Sequence, residues 1–194
     1  MNLKELVGKK IAEKVKNNQI IAVGTGSTVS AALIQIAERI KKEKLDTKFI
    51  STSYQSKWQL SELGLDILTS EVDYPVDWGF DGADPVDEKF QAIKGKGGAM
   101  LEEKIIARRC QEFILAIDES KWTNSILDLC EVPVEVVPIA KDTVIKDLKI
   151  LGAKAVSLRS AVNKHGPVIT EHGNIIFDVK FSEMTSTLER EIKS

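Results

Sequence analysis

The sequence is poor in the residues that build disulfides and metal sites, with only 2 cysteines and 2 histidines among 194 residues. Two thiols, Cys110 and Cys130, are typical of reduced residues in a cytoplasmic protein, and a single disulfide is the less favoured alternative. His165 and His172 lie near turns, without a cysteine or carboxylate at ligand spacing. We therefore expect no metal ion at these histidines.

The sequence also lacks long apolar runs and an excess of one charge. No stretch reaches the length of a membrane-spanning helix, and the lysine-rich segment 1–18 is typical of an amphipathic helix, not of a signal peptide. The 27 Lys and Arg residues against 29 Asp and Glu residues give a formal net charge of −2. Neither a nucleic acid nor a membrane is indicated as a partner, and we predict a globular protein in the cytoplasm.

A glycine-containing turn follows the first predicted strand. The apolar run 19–23 leads into Gly24-Thr25-Gly26-Ser27-Thr28, and apolar residues then recur at helical spacing from 29 to 40, with Ser27 or Thr28 available as N-cap. Such a helix N-terminus favours an anion, above all phosphate. A tight turn before a well-capped helix explains the same residues equally well. The turn lacks the third glycine of a dinucleotide fingerprint and the lysine of a P-loop, so neither NAD nor ATP is indicated.

Short apolar strands alternate with helices over the first two thirds of the chain. We predict strands at 19–23, 47–51, 67–68, 76–80, 90–93 and 113–117, and helices at 1–18, 29–40, 54–63 and 99–109. The alternation predicts an α/β fold with a doubly wound, mostly parallel, Rossmann-like sheet, whose site lies at the carboxyl ends of its strands. The hydroxyl run 51–53 follows the second strand, either as a helix cap or as a further edge of the anion site.

The pattern changes after Cys130, so we place the catalytic domain at residues 1–130. Beyond it we predict strands at 132–137, 155–158, 168–170 and 175–181, and helices at 141–151 and 184–192. This order predicts a second, smaller α+β domain at residues 131–194, of the split β-α-β, ferredoxin-like type.

The segment from Asp81 to Lys104 holds most of the candidate chemistry. It contains Asp81, Asp84, Lys94, a glycine-rich loop and Glu103. Glycines loosen the backbone and clustered charges cannot be buried without partners, so packing alone is a strained explanation. An Asx-turn is the simple alternative for the two aspartates. The spacing of Asp81, Asp84, Asp87 and Glu88 does not follow the alternating ligands of a calcium loop.

Six blocks, in order along nearly the whole chain, resemble the type A ribose-5-phosphate isomerases. They are Gly24-Thr25-Gly26-Ser27-Thr28, Asp81-Gly82-Ala83-Asp84, Lys94-Gly95-Lys96-Gly97-Gly98-Ala99, Glu103-Lys104-Ile105, Asp118-Glu119-Ser120-Lys121 and Pro133-Val134-Glu135-Val136-Val137-Pro138. A compound match of this kind is specific. The resemblance implies interconversion of D-ribose 5-phosphate and D-ribulose 5-phosphate in the non-oxidative pentose phosphate pathway. It also implies a cis-enediolate intermediate and neither a metal nor an organic cofactor.

The resemblance further implies roles for single residues. Glu103 would be the base that moves a proton between C1 and C2, a choice over Glu102 that helical spacing alone does not make. Lys94 and the glycine-loop amides would stabilise the enediolate oxygen, and Asp81 would help to open the furanose ring. Phosphate would sit on the turn after the first strand and pair with Lys121, with Lys4 as a further cation near it. The substrate-binding residues so implied are Thr25, Gly26, Ser27, Thr28, Asp81, Gly82, Ala83, Asp84, Lys94, Gly95, Lys96, Gly97 and Lys121.

Two features depart from the family pattern. Lys96 stands where the family usually has glycine, and the sequence ends at Ser194 where relatives continue, so we expect the small domain to lack the family's C-terminal strands. By the same resemblance we expect a homodimer or homotetramer. A non-catalytic sugar-phosphate sensor and an inactive isomerase homologue are the alternative functions, although a sensor has no need for Glu103 together with Lys94.

Overall fold

The computed structural model describes residues 2–193, so Met1 of the predicted first helix and Ser194 of the predicted small domain lie outside the described residues. Within that range, no helix is both long enough and apolar enough to span a bilayer. The helices and strands follow one another as α1 (Leu3–Lys14), β1 (Gln19–Val23), α2 (Ser27–Glu43), β2 (Thr47–Ser51), α3 (Tyr54–Glu62), β3 (Asp66–Ile67), β4 (Val76–Asp81), β5 (Val86–Asp87), α4 (Met100–Ala107), β6 (Cys110–Leu115), β7 (Trp122–Thr123), β8 (Val132–Val136), α5 (Lys141–Ile150), β9 (Ala155–Leu158), β10 (Ile175–Lys180) and α6 (Ser186–Ile192).

The central sheet is parallel and has the strand order β3-β2-β1-β4-β6. Successive side chains of β1 point to opposite faces, so Ile21 and Val23 pack in a core cluster with α1, α2 and α3, while Ala22 packs in another with Ile106 of α4. Both faces of the sheet are therefore covered, which explains why β1 is apolar along most of its length. The predicted α/β fold with a doubly wound, mostly parallel sheet is confirmed.

The strand order reverses next to β1. From β1 the chain builds outward through β2 to β3, then returns to lay β4 on the other side of β1, with Ile21 opposite Trp78 and Val23 opposite Phe80. A crevice opens at such a switch point beyond the carboxyl ends of the two strands, and doubly wound folds bind ligands there. In this chain β1 ends at Val23, directly before Gly24, and β4 ends at Asp81.

The chain folds into two compact units. One comprises the chain up to Ala83 together with Ala99–Trp122, and the other comprises Asp84–Gly98 and the chain from Thr123 on. In the second unit β8, β10 and β9 form an antiparallel sheet in that order, and α5 connects β8 to β9 around the intervening β10. This is the predicted split β-α-β topology, with Val134, Leu148 and Phe177 in its core. The predicted domain boundary between residues 130 and 131 stays a prediction.

The predicted strand at 90–93 is wrong. Oδ1 of Asp87 accepts hydrogen bonds from the backbone amides of Lys89 and Gln91, at 2.9 Å each, and Phe90 adopts a left-handed φ of 58°. A side chain that bonds to its own neighbouring backbone competes with strand pairing. Within 90–93 the structure has an isolated antiparallel bridge between Ala92 and Val86.

The predicted strand at 168–170 is also wrong, because Thr170 closes a turn. Its carbonyl accepts from the amide of Gly173 at 2.9 Å and its hydroxyl accepts from the amide of Asn174 at 3.1 Å.

The strand predicted at 113–117 begins three residues earlier, because the parallel register with β4 starts at Cys110 opposite Val76.

Candidate active site

One carboxylate ties the carboxyl ends of β1 and β4 together. The side chain of Asp81, only 1% exposed, accepts hydrogen bonds at Oδ1 from the backbone amides of Thr25 at 3.0 Å and Gly82 at 2.7 Å. Two amide donors orient the carboxylate. The sequence prediction placed Thr25 and Asp81 along the same edge of the sheet, and the structure brings them into direct contact.

Gly24 leaves room for this carboxylate. A Cβ atom built on Gly24 would lie 2.0 Å from Cγ of Asp81 and 2.1 Å from its Oδ1, far inside any allowed contact. The first glycine of the turn is therefore required by the close approach of a side chain from β4. Its role here is steric, and it adopts no left-handed conformation.

A hydroxyl cluster extends the turn towards β2. The hydroxyl of Thr25 donates to the hydroxyl of Ser53 at 2.7 Å and lies 3.5 Å from that of Thr52. Ser53 is also the N-cap of α3, where its oxygen accepts from the amide of Ser56 at 3.2 Å. The helix cap, one of the two roles predicted for the hydroxyl run, is thus present, and the same serine also bonds to the turn after β1.

The N-terminus of α2 is built differently from the prediction. Gly26, with φ 110°, occupies the N-cap position, so neither Ser27 nor Thr28 caps the helix, and the described residues form no side-chain cap hydrogen bond at the N-terminus of α2. The first turn carries no acidic residue. Instead, Nζ of Lys4 on α1 donates to the hydroxyl of Ser27 at 2.7 Å. A helix N-terminus with a lysine beside it suits an anion.

The carboxylate of Asp118 is under the influence of two lysines, Lys121 and Lys4. The hydrogen bonds from the hydroxyl and amide of Ser120 hold the pKa of Asp118 below its usual range, and the positive charges of Lys121 and Lys4 act in the same direction. Both lysines are therefore within electrostatic reach of one carboxylate. Lys121, which the sequence proposed as a phosphate partner, and Lys4 lie in one neighbourhood of the first unit.

Glu103 is the buried member of the glutamate pair on α4. It is 7% exposed, whereas Glu102 is half-buried, and both lie in the first turn of the helix. A carboxylate is rarely buried for packing alone, and the positive end of the helix dipole favours it at this place. Burial thus distinguishes Glu103 from Glu102, which helical spacing in the sequence could not do.

The glycine-rich loop and Asp84 belong to the second unit. Oδ2 of Asp84 accepts from the amide of Lys96 at 3.2 Å, and the amide of Asp84 donates to the carbonyl of Ile93 at 3.0 Å. Gly95 adopts a φ of 93°, a conformation that favours glycine. Lys94 is half-buried, and Lys96 and Gly97 are exposed.

The structure therefore distributes the predicted site residues over the two units. The first unit holds Thr25, Gly26, Ser27, Thr28, Asp81, Gly82, Ala83, Glu103 and Lys121, and the second unit holds Asp84, Lys94, Gly95, Lys96 and Gly97. Among residues 2–193, no group of three or more histidine, cysteine, aspartate and glutamate side chains is arranged to hold a metal ion. The sequence did not decide whether Ser53 contacts the turn after β1, and the structure shows that it does.

The fold and this edge of the sheet define a doubly wound α/β protein with a glycine-containing turn and acidic groups at its switch point. Comparison with known proteins names the class more closely. A family model for ribose 5-phosphate isomerase A (phosphoriboisomerase A) matches residues 48–194. Ribose-5-phosphate isomerase A of Methanosarcina acetivorans is 40% identical over 178 residues, which cover 92% of this chain and 75% of that protein.

Solved structures agree with the sequence relatives. Ribose 5-phosphate isomerase A from Methanocaldococcus jannaschii has a TM-score of 0.94 at 36% identity, over 99% of this chain and 85% of that one. A D-ribose-5-phosphate isomerase in complex with phospho-erythronic acid has a TM-score of 0.91 at 37% identity, over 100% of this chain and 86% of that one. The chain belongs to the ribose 5-phosphate isomerase A family.

Proposed function

We propose that this chain is a ribose-5-phosphate isomerase, which interconverts D-ribose 5-phosphate and D-ribulose 5-phosphate through a cis-enediolate. The observation that carries the proposal is the burial of Glu103, at 7% exposed, in the first turn of α4 of a chain that belongs to this family. A carboxylate shielded from water and held on a helix suits proton transfer next to a carbonyl. The place in the non-oxidative pentose phosphate pathway follows from the reaction.

In the proposed reaction Glu103 acts as the single base. Its carboxylate removes the proton from C2 of the open-chain aldose, and the electrons of the C–H bond form the C1–C2 double bond while negative charge develops on O1. Glu103 then returns the proton to C1, the O2 proton passes to O1, and C2 becomes the carbonyl of the ketose. One carboxylate on one face of the enediolate suffices for both transfers.

The negative charge of the enediolate needs a preorganised donor. We assign this role to the ammonium group of Lys94 with the amides of Gly95, Lys96 and Gly97. The φ of 93° at Gly95 and the hydrogen bond from the Lys96 amide to Asp84 support a loop of defined conformation. We assign Asp84, with Gly82 and Ala83, to binding of the sugar hydroxyls.

Ring opening is the proposed role of Asp81. Most ribose 5-phosphate in solution is a furanose, so a group must exchange a proton with the ring oxygen or the anomeric hydroxyl before C2 becomes acidic. The amides of Thr25 and Gly82 both bond to Oδ1, which orients the carboxylate. An oriented carboxylate can exchange a proton in one fixed direction.

The phosphate is proposed to bind at the N-terminus of α2. The amides of Gly26, Ser27 and Thr28 and the hydroxyls of Ser27 and Thr28 provide donors there, and Lys121 and Lys4 provide charge. Thr25 supports this turn through its bonds to Asp81 and Ser53. The bond from Lys4 to Ser27 and the influence of both lysines on Asp118 support this assignment. A related isomerase forms a complex with phospho-erythronic acid, which carries both a phosphate and a carboxylate, and this supports a sugar phosphate as the ligand.

An assay with the purified chain tests the function. Ribose 5-phosphate is supplied, and ribulose 5-phosphate is followed by its absorbance and by ¹H NMR in D₂O, where a proton shuttle exposed to solvent introduces deuterium at C1. Turnover with this product supports the isomerase. Binding of ribose 5-phosphate without turnover would favour the sensor or the inactive homologue instead. The homo-oligomeric state and the cytoplasmic location stay predictions.

A further inference from the structure

Arg159 connects the glycine-rich loop to the antiparallel sheet of the second unit. It follows β9, and its Nη1 donates to the carbonyl oxygens of Gly95 at 3.0 Å and Lys96 at 2.9 Å. Its Nε donates to Oδ2 of Asp178 on β10 at 2.9 Å, and its Nη2 donates to Oδ1 of the same carboxylate. One guanidinium group therefore holds the loop and a central strand at once.

The pair is well suited to holding a backbone in place. The side chain of Arg159 is 15% exposed and that of Asp178 is 24% exposed, so solvent competes weakly for these hydrogen bonds. A bidentate guanidinium–carboxylate pair is planar and has a fixed direction, which a lysine cannot reproduce. Asp178 lies opposite Ser157 of β9 in the sheet, so its own position is fixed by strand pairing.

The peptide between Gly95 and Lys96 is bound from both sides. Its carbonyl accepts from Arg159, and its N–H donates to Oδ2 of Asp84 at 3.2 Å. A trans peptide is planar, and its C=O and N–H point in opposite directions. The carbonyl of Lys96 also accepts from Arg159, so the N–H of the same peptide, which belongs to Gly97, points away from Arg159.

We propose that Arg159, held by Asp178, is a positioning residue for the isomerisation. By anchoring the carbonyls of Gly95 and Lys96, it orients the N–H of Gly97 and fixes the loop that begins with Lys94. Arg159 acts on the reaction through the loop and makes no contact with the substrate. The inference rests on the proposed function, because only that function gives the loop its role in stabilising the enediolate.

Two variants test the role from both ends of the contact. Arg159→Lys keeps the charge and loses the planar fork, and Asp178→Asn keeps Arg159 and removes the charged group that holds it. We expect kcat for ribose 5-phosphate to fall about 10- to 100-fold in Arg159→Lys and about 3- to 10-fold in Asp178→Asn, because small displacements of catalytic groups have effects of this size. KM should change less than about 3-fold in both, because the phosphate contacts are untouched.

Arg109 offers a matched control. Its Nη1 donates to the carbonyls of Ser70 at 2.8 Å and Val72 at 3.2 Å, so it also binds two loop carbonyls through one nitrogen, and its Nε lies 3.6 Å from Oδ1 of the exposed Asp73. Arg109→Lys should lower Tm about as much as Arg159→Lys does, and it should leave kcat within about 2-fold of the wild-type value. Equal kcat losses in Arg109→Lys and Arg159→Lys, or wild-type kcat in both Arg159→Lys and Asp178→Asn, would overturn the proposal.

Amide hydrogen exchange gives a readout that does not depend on turnover. Peptides covering residues 95–98 should exchange faster in Arg159→Lys and Asp178→Asn than in the wild-type chain, and at the wild-type rate in Arg109→Lys. If the wild-type chain does not isomerise ribose 5-phosphate, the proposed function fails while this measurement still decides whether Arg159 holds the loop. Unchanged exchange in both variants would refute the positioning role whatever the activity.

Discussion

A Cβ atom on Gly24 would lie 2.0 Å from Cγ of Asp81, so the carboxylate of Asp81 occupies the space that any other residue at position 24 would fill. The backbone supports the same arrangement. The amide of Gly24 donates to the carbonyl of Phe80 at 2.8 Å, and the amide of Thr25 donates to Oδ1 of Asp81 at 3.0 Å. The carboxyl ends of β1 and β4 are therefore fitted together around one acidic group.

Gly24→Ala should disrupt this arrangement. Because the new methyl group must displace the carboxylate or the backbone, we expect kcat/KM for ribose 5-phosphate to fall about 100-fold and the free energy of unfolding to fall by about 1–3 kcal/mol. Steady-state kinetics and urea unfolding measure the two effects. Gly64→Ala is the control, because no described atom lies within 4 Å of its Cβ position and its φ of 69° gives backbone strain without a clash. Wild-type kinetics in Gly24→Ala would contradict the steric role.

Glu103→Gln should remove the proposed base and keep the shape of the side chain. We expect kcat to fall at least about 1,000-fold, because general base catalysis contributes up to about 10⁴-fold. Binding of phospho-erythronic acid, measured by calorimetry, should remain within a few-fold of the wild-type value. Glu102→Gln, one residue away on the same helix turn, should retain activity within about 3-fold. Full activity in Glu103→Gln would end its assignment as the base.

Lys94→Met should separate catalysis from stability. Removing a cation from the developing enediolate should lower kcat about 100- to 1,000-fold. The half-buried stem of the side chain is replaced by one of similar length, so the free energy of unfolding should change by less than about 1 kcal/mol. Lys89→Met changes an exposed lysine of the same unit and should affect neither quantity. A large loss of unfolding free energy in Lys94→Met, alongside the loss of kcat, would show that the lysine is structural.

Lys121→Ala should weaken binding of the phosphate. A charge-assisted hydrogen bond contributes about 1.5–3 kcal/mol, so we expect KM for ribose 5-phosphate to rise about 10- to 100-fold while kcat changes little. Competitive inhibition by inorganic phosphate should weaken in parallel. Lys9→Ala removes an exposed lysine from α1 and should leave both constants unchanged. A loss confined to kcat would show that Lys121 serves some step other than phosphate binding.

The sequence predicts those parts of the fold whose signals are local. The strands β1 and β2 were predicted with their observed bounds, because β1 is a short apolar run before a glycine-containing turn and β2 carries Phe49 and Ile50 directly before the hydroxyl run 51–53. The strand predicted at 90–93 failed because the carboxylate of Asp87 bonds to the amides of Lys89 and Gln91 and Phe90 has a left-handed φ, so a turn stands where the strand was expected to begin. β6 was shifted because its first residue is set by its register with β4, which periodicity within one segment does not contain.

The candidate site shows the same division between local and long-range information. The doubly wound pattern was enough to predict that Thr25 and Asp81 lie along one edge of the sheet. The contacts of Ser53 with Thr25 and of Arg159 with Gly95 join positions 28 and 64 residues apart, and each depends on how whole strands are placed. No motif marks Arg159 in the sequence, so only the structure identifies its contact with the loop.

The pH dependence of Cys110 is a test that is independent of catalysis. Burial raises the pKa of its thiol to about 11, and its Sγ donates to the carbonyl of Ile106 at 3.3 Å. A raised pKa means that the neutral thiol dominates up to about pH 11 in the folded protein, whereas a cysteine in the unfolded chain ionises near pH 8.5.

At pH 8 the folded chain should therefore hold about 100- to 300-fold less Cys110 thiolate than the unfolded chain. A thiolate of higher pKa is intrinsically more nucleophilic, which offsets about tenfold of this difference in thiolate concentration. The folded chain should therefore react with an aromatic disulfide about 10- to 30-fold more slowly than the unfolded chain, before any steric protection is counted. Mass spectrometry of the Cys110 peptide measures the rate, with the chain in urea as control. The rate should rise about tenfold per pH unit from pH 7 to 10, and a plateau near pH 9 would contradict the raised pKa, because it would mean that the thiol ionises at its ordinary value.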